Sequence, residues 1–148
     1  MGWPGGPDSR GSARGGWFGD VGLLGLRLFA GLALAFAHGR GKLPPSEKFI
    51  TGAGELGFPW PAVFAWAAAL SEFAGGILLA AGFWTRPAAL MILITMLVAG
   101  FGRHAADPFN VKEKAFLYAA IALACLGLGG GRLALDALLR RRRLRAGS

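Results

Sequence analysis

Apolar positions fill the chain in four long runs, and charge interrupts them only twice. Between Val21 and Gly39 the single charged residue is Arg27, and between Leu56 and Thr85 it is Glu72; the stretches between Arg86 and Arg103 and between Lys114 and Arg132 contain none. A hydrocarbon core of ~30 Å takes about 20 helical residues, with roughly 17 to 25 tolerated. The first, second and fourth runs meet that length. The third is slightly short and is extended by Trp84 and Arg86 at the interface. A soluble amphipathic helix keeps a polar face toward water, and none of the four runs does. In the second, Val63, Phe64, Trp66, Leu70, Phe73, Ile77, Leu78 and Leu79 surround the helix on all sides. The pattern predicts an all-α protein: a four-transmembrane-helix bundle over residues 17–132.

The flanks differ in character. Residues 1–16 are rich in Gly, Pro, Ser and Arg, which bury too little apolar surface to offset the entropy of ordering, and they predict a disordered leader. Arg10 and Arg14 precede an apolar stretch closing in Ala35-Phe36-Ala37, the outline of a cleaved signal, but Arg27 breaks the apolar region such a signal needs. Residues 133–148 place leucines at helical spacing beside arginines and predict a basic amphipathic tail on the anionic inner membrane surface. Pro59-Trp60-Pro61 marks a turn and interfacial anchor before the second helix, and Asn110 with Glu113 three residues on resembles a capping box opening the fourth. Gly31 with Ala35, Gly76 with Ala80, and Gly127 with Gly131 set small residues four apart, a spacing that lets helices approach closely.

Composition supports the membrane reading: 54% of the 148 residues are hydrophobic and 16% charged. The formal net charge of +8 would suit nucleic acid, yet there is no interleaving of aromatic and basic residues, no zinc spacing and no recognition-helix pattern. Nucleic acid is therefore excluded as a partner, and the bilayer takes its place. Four spans put both termini on one side. Arg10, Arg14, Arg86, Arg132 and the tail residues Arg140, Arg141, Arg142, Arg143 and Arg145 outnumber Arg40, Lys42, Lys48, Arg103, Lys112 and Lys114, so the positive-inside rule places both termini in the cytoplasm. The loops near 39–60 and 103–110 then face outward. Cys125 is the only cysteine, so neither an internal disulfide nor a CxxC pair is available, and redox chemistry would need a cofactor or partner.

Arg27 and Glu72 carry the most information, because a charge at membrane depth costs at least ~2.5–3.5 kcal/mol without a partner. One cation and one anion point to each other, although side chains lean toward their own helix N-terminus and so lean apart in antiparallel helices. Two readings stay open, a structural ion pair fixing helix register and a ligand or proton site. His38 closes the first helix and His104 follows the third, both at the outer surface in this topology. A cleft lined by Arg27, His38, Glu72 and His104 could hold a quinone head group or relay a proton; interfacial histidines are also often inert. Two histidines without a cysteine pair fall short of a structural zinc site, so no metal is expected.

Several short motifs occur in a recognisable order: Leu26-Arg27-Leu28, then Phe36-Ala37-His38-Gly39-Arg40-Gly41-Lys42, Gly57-Phe58-Pro59, and Glu72-Phe73-Ala74-Gly75-Gly76-Ile77-Leu78-Leu79 leading to Gly82-Phe83-Trp84-Thr85-Arg86. Met96 with Ala99 and His104, Glu113 with Phe116-Leu117-Tyr118, and Gly129-Gly130-Gly131-Arg132 with Asp136 complete it. In these features, from about Gly22 to Leu139, the chain resembles the DoxX family of small four-helix membrane proteins. The resemblance implies a multi-pass protein of a bacterial-type inner (plasma) membrane and a subunit of a quinone-linked oxidoreductase with a site for quinone or a small sulfur compound. It further implies an oxidoreductase partner subunit or a homo-oligomer. Its alternative is a non-catalytic scaffold or assembly factor for a redox or stress-response complex. The family's Gly-Pro-Gly before the last arginine is here Gly129-Gly130-Gly131.

Overall fold

The computed structural model describes residues 9–147, with side chains from Gly16 onward. Every regular element among them is helical: α1 (Ser9–Ala33), α2 (Glu47–Glu55), α3 (Pro61–Ala81), α4 (Thr85–Leu97), α5 (Phe109–Leu128) and α6 (Leu135–Ala146). Two helices do not stop at their α-helical ends. A π-helical turn, Leu34–Gly39, and a 3₁₀ turn, Arg40–Lys42, prolong α1, and a second π turn, Val98–Arg103, prolongs α4. In the first π turn the Arg40 N–H donates to the Ala35 carbonyl, and beyond the second the His104 N–H donates to the Ala99 carbonyl at 2.9 Å.

The stretches Gly16–Lys42, Pro61–Ala81 and Thr85–Arg103 are each long and apolar enough to cross a membrane. The side chains are arranged accordingly. The buried core is made largely of alanine, with Leu34, Leu79, Ile92, Met96 and Cys125, while Phe29, Trp66, Ile94, Phe101, Leu117 and Leu123 stand on the outer surface. Large apolar groups outside and small ones inside suit a lipid solvent, where helices associate by close packing. α5 also packs in the bundle, but Lys112, Glu113 and Lys114 occupy its first turns. Its uncharged part from Ala115 to Leu128 spans about 21 Å at ~1.5 Å per residue. Gly129 ends the helix before Arg132 is reached, which is why this run measures shorter in the fold than along the sequence.

Four helices, α1, α3, α4 and α5, run alternately up and down and close into a bundle. α1 packs on α3, α3 on α4, and α4 on α5; the ring closes where Asp20, about midway along α1, meets Arg132 beyond the end of α5. The α1–α3 seam is the tightest. A Cβ on Gly31 would collide with the Gly76 carbonyl and Ala80, and one on Gly76 would fall 2.6 Å from the Gly31 carbonyl oxygen and 3.0 Å from the Ala35 nitrogen. The expected small-residue spacing operates there as backbone-to-backbone contact. It does not operate at Gly127, which is exposed with no neighbour within 4 Å of an added Cβ.

Three local expectations change. α1 already runs from Ser9, so the expected leader is helical over residues 9–16; residues 1–8 and 148 lie outside the described residues. The loop near 39–60 contains α2, opened by Ser46, whose hydroxyl accepts the Phe49 N–H at 3.3 Å. The second long helix starts at Pro61, as the Pro59-Trp60-Pro61 turn predicts, a favoured first position because proline lacks the N–H that a helix start leaves unpaired. Finally, Asn110 caps nothing: Pro108, extended at ψ 157°, precedes a helix that begins at Phe109, so Glu113 falls inside it.

The seam gives a direct test. Gly31→Ala is expected to destabilise the detergent-solubilised protein by ~1–3 kcal/mol through overpacking. Gly127→Ala should be neutral or raise stability by about 0.5–1 kcal/mol through helix propensity. Thermal melting monitored by tryptophan fluorescence would show opposite or unequal shifts; equal shifts would contradict the close approach.

Candidate functional site

α3 and α4 are joined at one end by the tight turn at Gly82-Phe83-Trp84 and separate toward the other, where α2 lies across them. Near the turn they touch, with Ile92 against Gly75. Farther along, the small side chains of Ala65, Ala67 and Ala68 leave a cavity of about 490 Å³ between α2, α3 and α4. Its walls are mostly apolar, including a stacked pair, Phe58 and Phe64, with centroids 4.2 Å apart. Polar groups converge on it from five segments: Lys42, Ser46 with Lys48, Ser71 and Glu72, Thr95, and Arg103 with His104.

Glu72 is buried, 3% exposed, in the middle of α3. Its partner is Lys42, whose Nζ lies 2.6 and 2.7 Å from the two carboxylate oxygens. Lys42 reaches Glu72 because the π and 3₁₀ turns carry the end of α1 across the face of α3, where Gly39 lies against the Phe73 backbone. A lysine whose stem runs along apolar surface while its ammonium stays half-accessible suits this position. Beside Glu72, the hydroxyl of Ser71 is buried and has no hydrogen-bond partner among the described residues. A helical serine is usually free to bond back to the preceding turn, so an unpaired one facing a cavity is a group available to a ligand.

Of the four site residues expected from sequence, two line this cavity. Glu72 does so at depth and His104 at the rim, where its Nδ1 lies 2.7 Å from Asp107 Oδ2. His38 does not. It packs edge-on against Tyr118 of α5, ring centroids 5.7 Å apart, and Tyr118 is within electrostatic reach of Glu72 from the side away from the cavity. Arg27 lies toward the other end of the bundle, so the structure brings Glu72 and His104 to one cavity and places His38 and Arg27 at two separate contacts.

Arg27 is fully buried, and its Nη1 donates to the carbonyls of Leu79 at 3.2 Å and Ala80 at 3.3 Å. These carbonyls belong to the last turn of α3, which leaves orphan acceptors and the negative end of the helix dipole. The rest of that turn closes on Gly82 at φ 68°, with the Gly82 N–H donating to the Leu79 carbonyl and the Phe83 N–H to the Leu78 carbonyl. A side chain at Gly82 would strike Arg27 and Ala134, so glycine serves both the left-handed backbone and the close approach. Asp136, also within electrostatic reach of Arg27, accepts the Trp84 N–H at 3.0 Å and the Thr85 N–H at 3.1 Å, capping the start of α4. Arg27 and Glu72 thus do not pair with each other: Glu72 has Lys42, and Arg27 is held through Nη1 alone, its buried Nε and Nη2 having no hydrogen-bond partner among the described residues.

A protein-family model described as DoxX matches residues 22–105, more than half of the chain. The chain belongs to the DoxX family. No curated protein and no solved structure gives a match. The matched segment runs from α1 through the π turn after α4, so it contains Lys42, Ser71, Glu72 and His104, together with Arg27 and His38; Tyr118 and Asp136 lie beyond it. For a DoxX protein the fold establishes an all-α, multi-pass membrane protein in contact with the bilayer. Among the described residues no three His, Cys, Asp or Glu side chains form a group suited to a metal ion.

Sequence reasoning misses Lys42 and Ser71. Lys42 stands in the Phe36-to-Lys42 motif but reads only as a topology charge, because its distance from Glu72 along the chain hides their contact, and Ser71 is one small polar residue in an apolar run with no pattern to mark it. Lys42→Met is expected to cost ~3–5 kcal/mol by stranding a buried carboxylate. Adding Glu72→Gln should recover part of that loss in thermal melts, and a double variant as unstable as the sum of the singles would argue against the pair. Asp136→Ala should cost about 1 kcal/mol for the lost helix cap, measured in the same assay.

Proposed function

We propose that this DoxX protein is a membrane subunit of a quinone-linked oxidoreductase and that the cavity between α2, α3 and α4 receives the quinone head group. The observation that carries this reading is the combination of an apolar cavity of about 490 Å³ with the Lys42–Glu72 pair and the unpartnered Ser71 hydroxyl. Ligand sites of this kind are mostly apolar, with a few placed polar groups. The donor set fits: the Lys42 ammonium and the Ser71 hydroxyl offer hydrogens to carbonyl oxygens, and Phe58 and Phe64 offer a flat wall.

When bound, a quinone supplies reversible uptake of two electrons and two protons, with the electrons exchanged through a partner subunit. The chain's own residues bind and manage protons. Lys42 orients the head group and is held in place by both oxygens of Glu72. Glu72 holds or releases a proton at its carboxylate as the ligand changes charge. With Nδ1 engaged by Asp107, His104 exchanges a proton at Nε2 near the cavity rim. The helices stand as four spans in a bacterial-type inner membrane with both termini cytoplasmic. What supports this orientation is that Arg86, Arg132 and the arginines of α6 gather at the end of the bundle opposite α2.

A second reading, a non-catalytic scaffold or assembly factor, is favoured by Arg27, which completes the end of α3 and lines no part of the cavity. Glu72→Gln separates the two. Normal membrane abundance with at least tenfold less co-purifying quinone, measured by solvent extraction and chromatography, supports the site. Unaltered protein that retains no quinone, together with unchanged quinone reduction in membranes lacking the protein, overturns it.

A further inference from the structure

Exposed residues line the cavity on two sides. One side, beside α2, is polar and carries Lys48, Arg103 and His104. The other, a crevice between α3 and α4, has lining residues that recur at helical spacing: Phe64, Ala68 and Ser71 on α3, and Met91, Ile94 and Val98 on α4. Exposure falls along the crevice wall. Met91 is 46% and Ile94 54% exposed on the lipid-facing surface, whereas Ser71, at the inner end, is 2% exposed. In water such a crevice would be a costly apolar gap; in a bilayer its walls continue the hydrocarbon phase, and an apolar molecule crosses it without being wetted.

We propose that the cavity is loaded sideways from the bilayer, between α3 and α4, by a lipid-borne carbonyl compound whose head ends against the Ser71 hydroxyl. The head group moves inward past Phe64 and Ile94, its apolar tail stays in the crevice and the adjoining lipid, and Ser71 supplies the hydrogen bond it otherwise lacks. Lys42 and Glu72 then bound the head on the neighbouring face of α3. This inference rests on the quinone reading and adds to it a route, a tail requirement and a further binding residue.

The test uses the full chain in lipid nanodiscs and two probes, a benzoquinone with a ten-carbon tail delivered in the bilayer and the same head group without a tail added from water. Ile94→Trp, or Met91→Trp if the first variant folds poorly, is expected to slow loading of the tailed probe at least tenfold relative to the tail-less one. Ser71→Ala should weaken equilibrium binding of both probes roughly fivefold to tenfold, the loss of one hydrogen bond. Equal slowing of the two probes by the tryptophan variants overturns the lateral route, and unchanged affinity in Ser71→Ala overturns the role of Ser71. Binding of neither probe to the unaltered protein overturns the quinone reading and this inference with it.

Discussion

The contact between α1 and α3 sets the positions of nearly everything else. Gly31 and Ala35 of the first helix meet Gly76 and Ala80 of the second at backbone distance, and Gly39 continues the contact to Phe73. Without a hydrophobic driving force between helices in lipid, such close packing is the main source of association. It also holds the two helices in one register, and both buried charges depend on that register. At one end of the seam Arg27 reaches the last carbonyls of α3; at the other, Lys42 reaches Glu72. A shift of one helix along the other by a single turn, ~5.4 Å, would strand both charges at once.

The two charges are held by different means, Arg27 through one of its three guanidinium nitrogens, and only one of them belongs to the cavity. Arg27 sits among fixed acceptors, the final carbonyls of α3, with no route to solvent. Its surroundings include the Gly82 turn and Asp136, which joins α6 to the start of α4. The arrangement is a corner that ties three chain segments. Glu72 instead faces a flexible lysine and an apolar space, with Ser71 unpaired beside it. One charge is held by backbone and the other by a side chain that can move.

Much of the architecture was legible from hydropathy, since runs of apolar residues need little context to be read as helices. The first two spans follow from hydropathy, but the third run, short along the sequence, reaches full length through its π turn, and the fourth loses length to the charges of its first turns. The small-residue spacing marks Gly31 and Gly76 as places of close approach without saying that they meet each other. The site was legible only in part. Glu72 announces itself as the one anion in a long apolar run, but its partner comes from a turn beyond the end of α1, where no periodic rule applies. Arg27 looked like that partner because it was the only cation at depth; carbonyl groups at a helix end carry no mark in the sequence. α2 was hidden for a similar reason. It is short, and its apolar face of Phe49, Gly52 and Ala53 shows meaning only over the cavity it lines.

The two π turns bear on how such a site can change. Each inserts one residue per turn into a helix that is otherwise regular, at the ends of α1 and α4 that carry His38, Lys42, Arg103 and His104. Loss of one residue from either turn restores the ordinary helical repeat and rotates everything beyond it by about 100°. The core below, built on Gly31, Gly76 and Ile92, is untouched by such a change. Chain length at these two points therefore acts as a selector of which side chains face the cavity, independently of the residues that hold the bundle together.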